Sequence, residues 1–233
     1  MKLKLTIRLK KEVATDTKEN YKKIVRKISH MQNGDVAKIL RNMGLDYQLS
    51  YGVSIPHLRQ VVSEFEPNNE LAFLLWERDI RETRILASSL FDVTDLPIEK
   101  ARIIAKKIVN QELREQYSRN LFARLPYLPG LVETWMAGTL EEKTLALYSV
   151  GWHIRQGGSL ADDLKAMVFT QIGEMAAIDQ VMVHQSLSFV MQSLSVVSDV
   201  YNAEMKELAV RLMQSEKLNV YRLGEEFLWF NTK

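Results

Sequence analysis

Apolar residues recur at helical spacing along almost the whole chain of 233 residues, and short polar turns separate the runs. The spacing predicts about a dozen helices of roughly 10–18 residues each. No pattern of a strand, a crossover helix and a second strand interrupts them, so the chain is predicted to be all-α. The predicted segments are 35–44, 54–65, 69–79, 81–91, 97–110, 111–125, 130–138, 139–156, 159–176, about 180–197, 200–215 and 221–230.

The amino-terminal segment has a different pattern. Leu3, Leu5, Ile7 and Leu9 alternate with lysine, threonine or arginine, which is the period of a strand. No partner strand is evident elsewhere, and an isolated strand is not stable in water. We therefore predict a loosely ordered basic tail over residues 1–14, followed by a single domain over residues 15–233.

Two local signals mark helix starts. Thr139 and Glu142 have the spacing of a capping box. In the stretch 51-YGVSIPHLRQVVSEF-65, Gly52 permits a tight turn, Ser54 can cap a helix, and Pro56 suits the first helical turn. Such a stretch is typical of either a phosphate site or a rigid corner between helices. Because the chain lacks a glycine-rich phosphate loop, we favour the rigid corner.

Consecutive predicted helices pair with a period of roughly 35–45 residues, as in HEAT and armadillo repeats. The pairs show no sequence similarity to one another, so this prediction depends on segment lengths alone. A compact irregular helical bundle remains the alternative.

Composition excludes several classes of function. The chain has no cysteine, which excludes disulfides, thiolate metal sites and a cysteine nucleophile. It has no GxGxxG, P-loop or GxSxG motif, and His30, His57, His153 and His184 are scattered without metal-ligand spacing. No metal and no cofactor is therefore implied. No apolar run is long enough to span a membrane and the charged start is unlike a signal peptide, so a cytoplasmic protein without a membrane partner is expected.

Charge is distributed unevenly along the chain. Residues 1–30 carry a net charge of +7, residues 31–100 of −4, residues 101–124 of +4 and residues 125–233 of −5. A basic amino-terminal half is a weak indication of a polyanionic partner. A solvated basic helix would give the same pattern.

The segment 111–125 combines basic side chains with an aromatic one. Leu113, Tyr117 and Leu121 form a predicted buried row, while Arg114 and Ser118 share a neighbouring face. Basic residues beside Tyr117 could follow a nucleic-acid backbone. An ordinary amphipathic helix, with glutamates balancing the arginines, explains the pattern equally well.

Segment 139–156 ends with Trp152, His153 and Arg155. An aromatic ring and an arginine at a helix end can line a groove. More often, such a tryptophan packs the helix end against its neighbour.

The residues Gly52-Val53, Pro56, Leu58-Arg59, Leu75-Trp76, Arg81-Glu82 and Ala87 together resemble the bacterial DNA alkylation repair family. The founding members of that family are alkylpurine DNA glycosylases built from HEAT-like helical repeats. The match is fairly specific over residues 50–92, and helix order continues it to about residue 200. The resemblance implies an α–α superhelix whose concave face suits duplex DNA.

The catalytic positions of that family are not matched here. The tryptophan and aspartate positions fall near Arg114 and Ser118, and the later arginine and second tryptophan positions fall near Thr144 and Phe189. Base excision passes through a positively charged sugar that a carboxylate stabilises, and a serine cannot replace the carboxylate. The resemblance therefore implies the scaffold and DNA binding without the standard excision site.

Three hypotheses follow. The favoured one is a HEAT-repeat protein that binds duplex DNA, and the residues expected at the DNA are Arg102, Lys106, Arg114, Tyr117, Ser118, Arg119, Arg124 and Phe189. The second is an active glycosylase whose catalytic carboxylate is Glu115. The third is a protein-binding scaffold without DNA activity, supported by the acidic carboxyl-terminal half and by Trp135, Trp152 and Trp229.

Overall fold

The computed structural model describes the backbone of residues 2–231 and the side chains of residues 16–231. Residues 1–96 form one compact unit. The helices of this unit are α1 (Lys2–His30), α2 (Gly34–Asn42), α3 (Ile55–Val62), α4 (Asn69–Trp76) and α5 (Arg81–Leu90). The pairing of α4 with α5 forms its centre, and α3 packs on α5.

Residues 97–233 form the second compact unit. Here α9 is the central helix, packed against α7, α8 and α11, and α12 packs against α13. The helices are α6 (Ile98–Lys106), α7 (Gln111–Asn120), α8 (Leu128–Met136), α9 (Leu140–Arg155), α10 (Asp162–Met175), α11 (Val181–Ser195), α12 (Asp199–Leu212) and α13 (Leu218–Phe230), with a 3-10 turn at Phe122–Arg124.

These elements confirm the all-α prediction for residues 2–231, where an isolated parallel bridge between Leu49 and Ile80 is the one strand-like pairing. The expectation of a single domain over residues 15–233 stays a prediction.

The amino-terminal segment differs from its sequence pattern. The backbone of residues 2–14, expected as a loose tail, belongs to the first turns of α1. Leucine, lysine, arginine and glutamate are all good helix formers, whereas the alternation had no partner strand to pair with.

Side-chain caps begin several helices. Thr139 and Glu142 form the predicted capping box at the start of α9: the Glu142 N–H donates to Thr139 Oγ1 at 3.3 Å, and the Thr139 N–H donates to Glu142 Oε2 at 2.9 Å. At α2 the cap is Asn33, whose side chain accepts from the Val36 N–H, and Asp35 lies inside the first turn. Asn68, Asn110 and Ser198 cap α4, α7 and α12 in the same way.

Helix α9 is buried continuously from Thr144 to Gly151 because neighbours cover it on more than one side. Gly151 allows the closest of these approaches. A Cβ atom at this position would lie 2.5 Å from Cε1 of Phe189 on α11, which is well inside van der Waals contact. The glycine therefore lets an aromatic ring of α11 rest directly on the backbone of α9.

Candidate nucleic-acid interface

Helix α7 turns most of its sequence-predicted site residues inward. It buries Leu113, Arg114, Tyr117 and Ser118, so the predicted apolar row is confirmed. Tyr117 has no exposed surface, and its ring packs near that of Phe122 at a centroid distance of 6.2 Å. Its role is therefore in the core, and the expectation that it lies at DNA is corrected by its burial.

Ser118 is equally inaccessible. Its Oγ accepts a hydrogen bond from Ser149 Oγ at 3.3 Å, and the pair joins α7 to α9. Thr144, at the position traced to the arginine of the glycosylases, is also buried and donates to the Glu141 carbonyl. Neither position offers a carboxylate or a cation to a reacting sugar.

Arg114 is a buried cation with only 3% of its surface exposed. Its Nη1 donates to Gln111 Oε1 at 2.9 Å, while its Nε is buried without a hydrogen-bond partner. Burial lowers the pKa of the guanidinium from its usual value, and the nearby Tyr148, Glu141 and Glu115 act in the opposite direction. A group so enclosed cannot reach a phosphate without a rearrangement, which corrects the expectation for Arg114.

Gln111 connects this buried arginine to the neighbouring helix. Its Nε2 donates to Tyr148 Oη at 2.6 Å and to Glu115 Oε1 at 3.0 Å. Glu115, the candidate catalytic carboxylate, is exposed, so this hydrogen bond holds it at the edge of the network. Desolvation by burial, reinforced by the charge of Glu115, raises the pKa of Tyr148 to about 12.

The raised pKa of Tyr148 predicts a loss of stability in alkaline solution. The folded state retains its phenolic proton to about pH 12, whereas an unfolded tyrosine loses it near pH 10. The contribution is therefore present below pH 10 and is lost as the pH rises towards 12, by about 2 kcal/mol. Urea unfolding of the wild type and of Tyr148→Phe between pH 9 and pH 12 measures this difference. Parallel pH profiles for the two proteins would contradict the assignment.

Three aromatic rings of α9 and α11 lie against one another beside this network. Phe189 stacks on Tyr148 with a centroid distance of 5.2 Å and an interplanar angle of 28°. Trp152, which lies one helical turn after Tyr148 on α9, also contacts Phe189, and the centroids of these two rings are 5.2 Å apart. Phe189 and Trp152 are half-buried, and Trp152 Nε1 is buried without a hydrogen-bond partner.

Two guanidinium groups cover these rings. Arg119 of α7 lies over Trp152 at 4.7 Å from the ring centroid, and Arg155 of α9 lies over Phe189 at 5.0 Å. Arg155 also donates from Nε to Ser193 Oγ at 2.8 Å. We call Tyr148, Trp152, Phe189, Arg119 and Arg155 the aromatic–arginine cluster. Cation–π contacts of this kind limit the freedom of long side chains and fix the direction of their charge.

The remaining basic residues expected at DNA lie nearer the surface. Arg102 is half-buried and pairs with Glu99 at 3.0 Å. Lys106 is exposed at the end of α6, and Arg124 is exposed with its Nη1 donating to the Asn120 carbonyl.

Sequence reasoning singled out four of the five residues of the cluster, namely Arg119, Phe189 and the helix end with Trp152 and Arg155. It missed the fifth, Tyr148, and also Gln111, which donates to Tyr148 from outside the cluster; neither residue carries a motif. A glycine at position 151 in the middle of a helix was the available signal, since an internal glycine in a helix often marks a close approach.

Two further observations concern what these residues can hold. Within residues 16–231, no group of three or more histidine, aspartate or glutamate side chains is placed to bind a metal ion. Among the helices that the structure describes, none combines the length and the apolar character needed to cross a membrane.

Comparison with known proteins gives one strong structural match. No family model matches the chain, and no curated protein sequence matches it. A solved structure from "a new family of proteins related to the HEAT-like repeat DNA glycosylases with affinity for branched DNA structures" superposes with a TM-score of 0.70 and 13% sequence identity, covering 91% of this chain and 94% of its own. The chain therefore has the all-α HEAT-like repeat fold that its sequence predicted, similar to that of proteins related to the HEAT-like repeat DNA glycosylases.

Proposed function

We propose that this chain is a DNA-binding protein that contacts phosphates through the aromatic–arginine cluster and does not excise bases. The fold it shares with a protein described as having affinity for branched DNA supports a DNA partner. The observation that carries the proposal is the placement of Arg119 and Arg155 over Trp152 and Phe189, with Arg155 exposed. Planar guanidiniums held in fixed directions suit bidentate contacts with phosphate oxygens.

The basic residues of α6 and the 3-10 turn add positive charge to the unit that contains the cluster. Lys106, Arg124 and the half-buried Arg102 belong to the same compact unit as the cluster, and residues 101–124 carry a net charge of +4. Because phosphate contacts carry no sequence information, binding should depend on the shape of the DNA and on salt. We propose duplex and branched DNA as the two ligands whose affinities should be compared.

The lack of excision activity is proposed from the buried positions. Ser118 and Thr144 have no exposed surface, and Arg114 and Tyr148, each one turn away on the same helix, are buried as well. Glu115, the candidate catalytic carboxylate, is exposed and is hydrogen-bonded to Gln111. Purified protein is expected to release no methylated purine from alkylated DNA. Release that is lost in Glu115→Gln would instead establish the glycosylase hypothesis.

Arg155→Ala is expected to weaken DNA binding about 3- to 10-fold and to reduce the salt dependence by about one counterion, since one phosphate contact is lost. The measurement is fluorescence anisotropy with a four-way junction and a linear duplex of equal length at two salt concentrations. Arg155→Lys retains the charge but not the planar contact with Phe189, so it should recover part of the affinity.

Arg211→Ala is the matched control, because Arg211 is an exposed arginine on α12, outside the cluster. It should bind both DNAs like the wild type. Absence of wild-type binding even at low salt would overturn the DNA-binding proposal. Equal losses of DNA affinity in Arg155→Ala and Arg211→Ala would leave the DNA-binding proposal standing, but would show that the cluster is not the binding site.

A further inference from the structure

A groove of about 1000 Å³ lies between α11 and α13, and none of the residues assigned to DNA lines it. Two contacts fix its walls. Asn219 Nδ2 at the start of α13 donates to the Ala176 carbonyl at 3.0 Å, and His184 Nε2 of α11 lies 2.6 Å from Glu226 Oε2 of α13. The groove is therefore a built feature of the second unit.

Apolar side chains on the rim of the groove are unusually exposed. Trp229 is 57% exposed and Phe230 52% exposed, and the two rings meet edge to face at 4.8 Å. Val181 and Leu218 add two more exposed apolar side chains to the same lining. Contiguous apolar surface of this kind, with a tryptophan in it, is typical of a protein-binding site. Trp229 was one of the three tryptophans expected at such a site.

The other two tryptophans of that expectation are placed differently. Trp135 is only 2% exposed and packs edge to face on Phe122 at 5.2 Å, so it belongs to the core. Trp152 is half-buried in the aromatic–arginine cluster. Of the three tryptophans named in the protein-binding hypothesis, Trp229 in the groove is therefore the exposed one.

The charged lining of the groove favours a cationic occupant. Asp179, Glu225 and Glu226 contribute carboxylates, and Arg222 contributes the opposing guanidinium. His184 accompanies Glu226, and Tyr221 Oη donates to Glu225 Oε1 at 3.5 Å, while Asp179 and Glu225 are both exposed. An occupant that is both apolar and basic would match the tryptophan and these carboxylates together.

The chain itself contains a segment of that chemistry. Residues 1–12 carry five lysines or arginines and one glutamate, interleaved with Leu3, Leu5, Ile7 and Leu9. Residues 125–233, which include the groove, have a net charge of −5. We propose that the groove between α11 and α13 receives the basic apolar segment, residues 1–12, of a second copy of this chain.

A contact between the amino-terminal segment of one copy and the groove of another is heterologous, because it joins two different surfaces. The wild-type chain should therefore associate as its concentration rises from about 1 μM to about 200 μM, either into a closed ring, of which a dimer with exchanged segments is the smallest, or into an open chain. Sedimentation velocity at low and high salt measures this, and association should weaken with salt because it depends on exposed charges.

Each half of the contact can be removed separately. Trp229→Ala with Glu225→Lys disables the groove, and Lys4→Glu with Lys10→Glu disables the segment. In each double variant alone, the dissociation constant for self-association should rise at least about tenfold, so that the variant is mostly monomeric where the wild type associates. An equimolar mixture of the two should form a one-to-one heterodimer and nothing larger, because one intact groove and one intact segment remain between them.

Two single variants outside the groove are the controls. Glu133→Lys changes an exposed glutamate on α8, and Ile103→Ala changes an exposed apolar side chain on α6. Both should associate like the wild type. Circular dichroism melts of every variant establish that each is folded. A wild-type chain that stays monomeric over the whole range, association that survives in both disabled variants, or a mixture that fails to form the heterodimer would overturn the proposal.

Discussion

Replacing Glu82 with alanine is expected to destabilise the folded chain by about 3–5 kcal/mol, because it removes a buried carboxylate that pairs with a buried cation. Glu82 has no exposed surface, and its Oε1 lies 3.0 Å from Nη1 of Arg81, which is 4% exposed. The carboxylate also accepts hydrogen bonds from the Tyr51 N–H at 3.0 Å and the Val53 N–H at 3.2 Å. Urea unfolding followed by circular dichroism measures the loss.

A surface ion pair of the same unit provides the matched control. Lys27 Nζ approaches Glu64 Oε1 to 2.5 Å, but about half of the glutamate side chain is exposed. Glu64→Ala should therefore cost less than about 1 kcal/mol, as exposed pairs usually do. Similar losses for Glu82→Ala and Glu64→Ala would contradict the argument from burial.

The paired variant Arg81→Met with Glu82→Leu separates the ion pair from the hydrogen bonds. It removes both charges and should recover part of the loss seen in Glu82→Ala. It cannot recover all of it, because the N–H groups of Tyr51 and Val53, and the Val53 carbonyl that accepts from Arg81 Nη1 at 2.8 Å, lose their partners. A double variant less stable than Glu82→Ala would show that the charges contribute little.

These contacts explain why the family resemblance was visible in the sequence. Gly52, Val53, Arg81 and Glu82 form one corner, in which hydrogen bonds join the loop to a buried ion pair at the start of α5. The corner needs particular residue types, and its two parts are only about 30 positions apart. Its constraints are on folding. The same residues therefore predict the fold, but they give no information about DNA binding or base excision.

The start of α3 was predicted less completely. Ser54 occupies the N-cap position, but its Oγ lies 3.0 Å from His57 Nδ1 and does not accept from the backbone of the first turn. Pro56 lies in the first turn, as predicted. A serine beside a histidine has two competing partners, and the sequence pattern cannot decide between them.

The aromatic–arginine cluster could not be assembled from sequence for a different reason. Gln111 meets Tyr148 across 37 positions, and Arg155 meets Ser193 across 38. Their meeting depends on how α7, α9 and α11 pack, which helical periodicity does not determine. Periodicity placed Leu113 and Tyr117 in the core because apolar spacing reports burial. It could not indicate that Arg114 would be buried as well, since arginine is seldom enclosed.

Gly52→Ala is expected to destabilise the fold by about 3 kcal/mol or more, through a backbone clash that no side-chain movement relieves. Gly52 has φ of +70°, and a Cβ there would lie 2.2 Å from the Asn33 carbonyl oxygen and 2.7 Å from the Ala37 amide nitrogen. Those atoms belong to the cap and first turn of α2, which the Asn33 N–H also ties to the Tyr51 carbonyl at 2.7 Å. Accommodating the methyl group therefore requires α2 to move away from the corner.

Gly44→Ala separates the two costs of the Gly52 substitution. Gly44 has φ of +85°, and a Cβ atom there would have no neighbour within 4 Å. Alanine at position 44 should therefore cost only the penalty of the left-handed conformation, about 1–2 kcal/mol. The excess loss in Gly52→Ala measures the clash with α2. Equal losses at the two positions would show that α2 shifts at little cost, and that its contact with the corner contributes little to the stability of residues 1–96.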